Sequence, residues 1–165
     1  MKKKLNSKLI IIITASVLAI ALIATLIAVI LNKAGDATVS FGSKKAIAGD
    51  TVEMPFSIDK NPGIWGGQII LNYDSDALSF VSCSNGDVFD ECEVNDDNGS
   101  LVILVNQAEL EDTDKNGVVA TVSFKVKVSA DKGDYDIAFD SETNFCNATE
   151  VMVEPILEKG TITVK

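Results

Sequence analysis

Between Ala120 and Ser129 the chain alternates with a period of two: Ala120, Val122, Phe124, Val126 and Val128 fall on one side, Thr121, Ser123, Lys125, Lys127 and Ser129 on the other. Successive side chains of an extended backbone point to opposite faces, so this is a strand with one buried face. The same period recurs in Val52, Met54, Phe56 and Ile58 set against Thr51, Glu53, Pro55 and Ser57. Pro55 has no amide hydrogen for a ladder, so that strand is expected to have a free or bulged edge there. Asn61 to Phe80 adds a Pro-Gly turn, the Gly66-Gly67 pair, a strand alternating around Ile69, Leu71 and Tyr73, an acidic turn at Asp74 to Asp76, and a second short strand. Two strands joined so closely, with hardly any helical signal beyond the N-terminus, predict an antiparallel β domain.

Further strands are expected at Thr38 to Phe41, Leu101 to Val105, Tyr135 to Phe139 and Gly160 to Val164, with turns at Gly49-Asp50, Asn85-Gly86 and Asn95 to Ser100. About eight or nine short strands over roughly 130 residues is the density that two packed sheets require. If Ile69, Leu71 and Tyr73 point into the core, then Gln68, Ile70 and Asn72 point out. Leu101 to Val105 has no polar alternation at all, so an aliphatic row is left on its outer side whichever way it faces. A two-layer sandwich has nothing of its own to cover that row, which leaves a loop or a partner.

The first 35 residues are of another kind. Lys2, Lys3, Lys4 and Lys8 precede a segment from Leu9 to Leu31 that carries no charge and only Thr14, Ser16 and Thr25 as polar interruptions. As a helix it is about 34 Å long, enough to cross a hydrocarbon core of roughly 30 Å. A cleaved signal peptide is the alternative, but its apolar core is normally shorter. The expected division is therefore 1–35, a basic cytoplasmic tail, transmembrane anchor and short tether, and 36–165, an exported β domain.

From Asp36 onward nine lysines face all 24 acidic residues, a formal charge of −15, and the whole chain has no Arg and no His. Such a surface repels nucleic acid and anionic lipid, and most of these charges serve as a solvated face. Without His the usual general base near neutral pH is missing, and no glycine-rich phosphate loop joins a strand to a helix. Acid pairs such as Asp74 with Asp76, or Glu109 with Glu111, arise by chance in so acidic a chain, so no catalytic residue is assigned and no enzyme is expected. Asp112 to Gly117 matches the first half of a calcium loop, but Ser123 stands where the bidentate Glu belongs, so no metal site is assigned. Cys83, Cys92 and Cys146 make an odd set for an exported domain. Cys83 and Cys92 form a bridge only if their strands lie side by side. Trp65, the single tryptophan, is a weak lone platform for a sugar ring.

In order along the chain, AGDTVEMPFSI, NPGIWGGQIILNYDSDAL, NGVVATVSFKVK, KGDYDI and the closing GTITV resemble the cohesin module of bacterial cellulosomes. The resemblance covers essentially the whole domain from about Thr38. It implies an all-β, nine-stranded jelly-roll β-sandwich that binds a dockerin, the small calcium-loaded helical module through which polysaccharide-degrading enzymes are attached to scaffolds or cell surfaces. The calcium belongs to the partner, and this chain needs no cofactor. Carried over by position, the dockerin contacts are Gly66, Gln68, Ile70 and Asn72 on one strand, with Ile103, Val105, Gln107 and Glu109 on or just after the other. Better-known cohesins place Asn and Asp where Gly66 and Gln68 stand, so recognition here shifts toward amide hydrogen bonds and apolar contact around Ile70. Asn106, inward by this alternation, is a mismatch that marks a bulge or the strand's end. The alternative function is a carbohydrate-binding module of similar fold that contacts polysaccharide through Trp65.

Overall fold

A computed structural model describes residues 37–165. The expected anchor between Leu9 and Leu31, and the boundary between residues 35 and 36, lie outside the described residues. Among the described residues no helix is long and apolar enough to cross a membrane.

The alternating segments form strands where their period puts them. The described residues form β1 (Thr38–Phe41), β2 (Ser43–Ala46), β3 (Thr51–Asp59), β4 (Gly66–Tyr73), β5 (Leu78–Asn85), β6 (Glu91–Asp96), β7 (Ser100–Asn106), β8 (Gly117–Val126), β9 (Gly133–Phe139), β10 (Asn144–Cys146), β11 (Met152–Val153), β12 (Ile156–Glu158) and β13 (Gly160–Val164). One sheet has the order β12-β1-β3-β8-β5. The other runs β11-β10-β4-β9-β13-β2, with β7 and then β6 added on the free side of β4. β1 and β2 are one extended stretch that changes sheets at Gly42: β1 pairs antiparallel with β3, and β2 runs parallel to β13.

The core fills the space between the sheets. Met54, Phe56 and Ile58 of β3 and Val122, Phe124 and Val126 of β8 meet Ile69 and Leu71 of β4 and Ile103 of β7, all fully buried. Aromatic rings link the layers. Phe41 lies with ring centroids 4.9 Å from Phe56 and 5.3 Å from Phe139, and Tyr73 lies 5.1 Å from Phe124. Burying side chains of this size stabilises the fold by about 1.5–3 kcal/mol each. Pro55 sits where both expected devices apply. The β1 pairing stops at Phe56, so the Pro55 edge is open, and the β8 register shifts between Phe56 and Ser57.

Three expectations change. Asp74 to Asp76 does turn, with the Asp74 carboxylate accepting the Asp76 amide at 2.9 Å, but β4 and β5 do not pair. The turn carries the chain from one sheet to the other. Val128 continues the period of β8 but lies beyond its end and is 83% exposed. The pattern predicts eight or nine strands and the resemblance nine, whereas thirteen segments are described, among them the short β10, β11 and β12.

Candidate docking face

Among the described residues the eight-stranded sheet has an outer face with no layer over it, and β4 lies at its centre. Ile69, Leu71 and Tyr73 are inward, so Gln68, Ile70 and Asn72 face out, as alternation requires. Gly66 shares their parity but is itself buried against β7, where a Cβ would meet the Val105 carbonyl at 2.6 Å and the Asn106 side chain at 3.1 Å. A Cβ on Gly67 would lie 2.6 Å from both the Asn144 carbonyl and the Phe145 ring. The Gly-Gly pair therefore lets β7 and β10 close on β4 from opposite sides.

On β7 the expected parity is reversed. Ile103 and Val105 are 0% and 2% exposed and point into the sandwich, so they are not contacts for a partner. The outward residues are Val102, Leu104 and Asn106. Asn106 is thus no bulge, and it is the strand's end, the last residue of β7. Its amide donates to the Glu91 carboxylate at 2.8 Å and to the Gln107 carbonyl at 3.1 Å. A signal existed in the sequence: Ser100 and Asn106 flank the aliphatic run on the same parity, which assigns Val102 and Leu104 to their side.

The register then sets rows across the face. Asn95, Val102 and Ile70 form one row. Glu93, Leu104, Gln68 and Asn144 form the next. Glu91, Asn106, Gly66, Cys146 and Met152 form a third. Leu104 is 43% exposed and Met152 56%, and Val94, Val102 and Leu104 line a shallow notch with Glu93 and Asn95. β6, β10 and β11 were not foreseen as parts of this surface, since nothing local in their sequences says which strands they join.

The polar groups at the margin are held in place. The Glu142 backbone amide and then the Asn72 side-chain amide, each donating to Asp140 at 2.9 Å, hold the Asp140 carboxyl below its usual range. Ile70 meets Thr143 where β9 gives way to β10: its amide donates to the Thr143 hydroxyl oxygen at 3.0 Å, and that hydroxyl donates to the Ile70 carbonyl at 3.1 Å. Gln107 is less available than expected, its amide donating to the Val88 carbonyl at 2.8 Å. Glu109 keeps an exposed side chain, while its carbonyl accepts the Trp65 indole at 2.9 Å. Trp65 also donates its amide to Cys146 and accepts from the Gln107 amide, each at 2.9 Å. It straps the segment after β7 beside β10, which is structural work.

Two of the calcium-like loop's candidate ligands, Asp112 and Asn116, spend an oxygen on internal bonds. Asp112 accepts the Ala148 amide at 2.6 Å and Asn116 accepts the Asn61 amide at 2.9 Å. Among the described residues no group of three or more His, Cys, Asp or Glu side chains is placed to hold a metal ion.

A β-sandwich whose one outer face is a row of half-exposed aliphatics framed by fixed amides and carboxylates is built as a protein-interaction module. The chain belongs to the cohesin domain family, whose sequence model matches residues 37–164. Over 136 residues it is 27% identical to cellulose-binding protein A of Clostridium cellulovorans, a match covering 77% of this chain and 7% of that protein. The chain therefore spans only a small part of that curated relative. Among solved structures, the seventh ScaB type I cohesin of Pseudobacteroides cellulosolvens is 27% identical with a TM-score of 0.69, over 78% of this chain and 92% of that one. A type I cohesin–dockerin complex of Clostridium thermocellum contains a chain matched at a TM-score of 0.72 and 20% identity, over 79% and 100% of the two chains. The non-cellulosomal cohesin of the archaeon Archaeoglobus fulgidus gives 0.69 at 14% identity, over 79% and 92%.

Proposed function

We propose that this chain is a non-catalytic receptor that binds a dockerin and ties polysaccharide-degrading enzymes or scaffold proteins to the cell surface. The observation that carries the reading is the apolar patch of Ile70, Val102 and Leu104, spanning two neighbouring rows of a sheet that no other described residue covers, in a cohesin-family domain. The contact set is Gln68, Ile70 and Asn72 of β4 with Val102, Leu104 and Asn106 of β7, bordered by Glu109, and the buried Gly66 serves only by keeping β7 close to β4. Glu91, Glu93 and Asp140 rim the row with negative charge, which favours a partner helix carrying lysine or arginine beside its apolar residues. Calcium enters as part of the dockerin. The nine-stranded jelly roll of that reading is supported by a count that joins β1 with β2 and sets aside the short β10, β11 and β12.

Localisation follows from composition. The lysines before Leu9 and the uncharged run to Leu31 support a single-pass anchor, with the N-terminus in the cytoplasm and residues 36–165 outside. Secretion after cleavage is the alternative, and the N-terminal residue of the protein recovered from cells distinguishes them.

The experiment is capture of purified dockerins by the full chain, with calcium and with a chelator. Calcium-dependent binding that is lost in Leu104→Asp supports the proposal. Absence of binding across dockerins from the same genome, together with retention on insoluble polysaccharide that Trp65→Ala abolishes, replaces it with the carbohydrate-binding reading.

A further inference from the structure

β5 and β6 are each the last strand of their own sheet, and they lie together at one open edge of the sandwich. The β5 register against β8 is irregular between Phe80 and Ser82. Val81 is the extra residue, half exposed, and it inverts the parity of the rest of the strand. Phe80 lies opposite Phe124, and three residues on Cys83 lies opposite Val122, both partners being fully buried. Simple alternation from Phe80 would have sent Cys83 to the outer face. Cys92 lies opposite Val105 of β7, so it too is turned inward, from the other sheet.

The two sulfurs come to 3.8 Å, and both side chains pack on the core. The connection between them is fixed. Val88 and Phe89 are buried, and the Asn85 amide donates to the carbonyls of Phe89 at 2.8 Å and Asp90 at 3.0 Å. Cys146 faces outward on β10 opposite Gly66 and takes no part.

We propose that Cys83 and Cys92 are a dithiol that oxidises to an inter-sheet disulfide, closing this edge of the sandwich and fixing β6, the strand that brings Glu93 and Asn95 to the rim of the apolar face. The oxidant is a small-molecule or protein disulfide. The Cys92 thiolate attacks one of its sulfurs, forming a mixed disulfide and releasing the first thiol. Cys83, giving up its proton, then attacks the Cys92 sulfur and releases the second. Two electrons pass to the oxidant, whose S–S bond is broken as the protein's forms, and the two protein protons end on the released thiols. Either sulfur can donate the hydrogen bond that the pair shares, and this order of attack is the one in which Cys83 donates. With Cys83 donating to it, the Cys92 sulfur is held below the usual thiol range, while that bond and then burial push Cys83 up.

The test uses the full chain in detergent, purified reduced and then equilibrated with mixtures of reduced and oxidised glutathione. Three free thiols should fall to one. Non-reducing peptide mapping should link the peptides that contain Cys83 and Cys92. The Cys146→Ser protein should oxidise in the same way, and the thermal midpoint should rise by about 5–10 °C on oxidation, as for a short closed loop. Three thiols persisting in oxidised glutathione would overturn the proposal, as would a link through Cys146 or a lasting glutathione adduct on Cys92. None of these readouts requires a Cys83 or Cys92 variant to fold.

Discussion

The sandwich has two outer faces built from strands of similar length and pairing, and they show water different chemistry. Across β3, β8 and β5 the outward rows read Glu53, Ser123, Ser82 and then Thr51, Lys125, Ser79. Across β6, β7 and β4 they read Asn95, Val102, Ile70 and Glu93, Leu104, Gln68. Among the described residues both faces are uncovered sheet. The first is what a soluble sheet needs, and the second leaves apolar area in water at about 25 cal/mol per Å² that burial would recover. Since the same fold manages without such area on one side, its presence on the other is not imposed by the architecture. It is a surface kept for a partner.

The sharpest break of this comparison lies within β7, between neighbours. Ile103 is fully buried, and Ile103→Ala should cost about 2–5 kcal/mol, read as a fall in the urea midpoint. Leu104→Asp should leave that midpoint within about 1 kcal/mol while weakening dockerin capture by about 2 kcal/mol or more, roughly thirtyfold, by titration calorimetry. Ile70→Asp, beside Val102 on the next strand, should behave like Leu104→Asp. If Leu104→Asp unfolds the domain and Ile103→Ala does not, the parity of β7 is wrong.

A smaller effect tests how the apolar face is held. The Tyr73 hydroxyl, inside β4, donates to the Asp96 carboxylate at 2.8 Å and so ties the β6–β7 hairpin to the core. Burial, and then the Asp96 bond and charge, raise the Tyr73 pKa above its ordinary 10.0. The fold therefore holds this proton more tightly than the unfolded chain does. That contribution is whole below pH 10.0 and is lost as the pH climbs through the folded value. Tyr73→Phe should cost about 1 kcal/mol at neutral pH and flatten the alkaline limb of the stability profile.

Much of the fold was legible because β3, β4, β8 and β13 carry their own period, and a half-buried strand must alternate. Their inward residues could be named from the sequence. β7 was misread for a physical reason: a run of five aliphatics contains no parity, and only the polar residues flanking it, Ser100 and Asn106, break the symmetry. The turn expected at Asn95 to Ser100 is present but tighter, at Asp97 to Ser100, where Asn98 and Gly99 take positive φ of 42° and 122°, as that dipeptide favours. The crossing of β4 into β5 was not legible, because a tight turn looks alike whether it joins partners or sheets. The inward turn of Cys83 was hidden for the same kind of reason: one extra residue, Val81, changes the parity of β5, and only pairing with β8 reveals it.

The smallest expected effect belongs to the polar face, and it decides whether the contrast between faces is functional or only compositional. Thr121→Leu and Ser123→Leu place apolar side chains at the centre of the β3–β8–β5 surface, imitating Val102 and Leu104. Neither site has a buried polar group to leave unsatisfied, so the urea midpoint should move by less than about 0.5 kcal/mol. Dockerin affinity should not change. The two outer faces stand on opposite sides of a core about 10 Å thick, and a partner seated on one sheet does not reach the other. A loss of capture in Ser123→Leu equal to that in Leu104→Asp would mean that the partner docks on the five-stranded sheet, and that the aliphatic row on β4 and β7 serves something else.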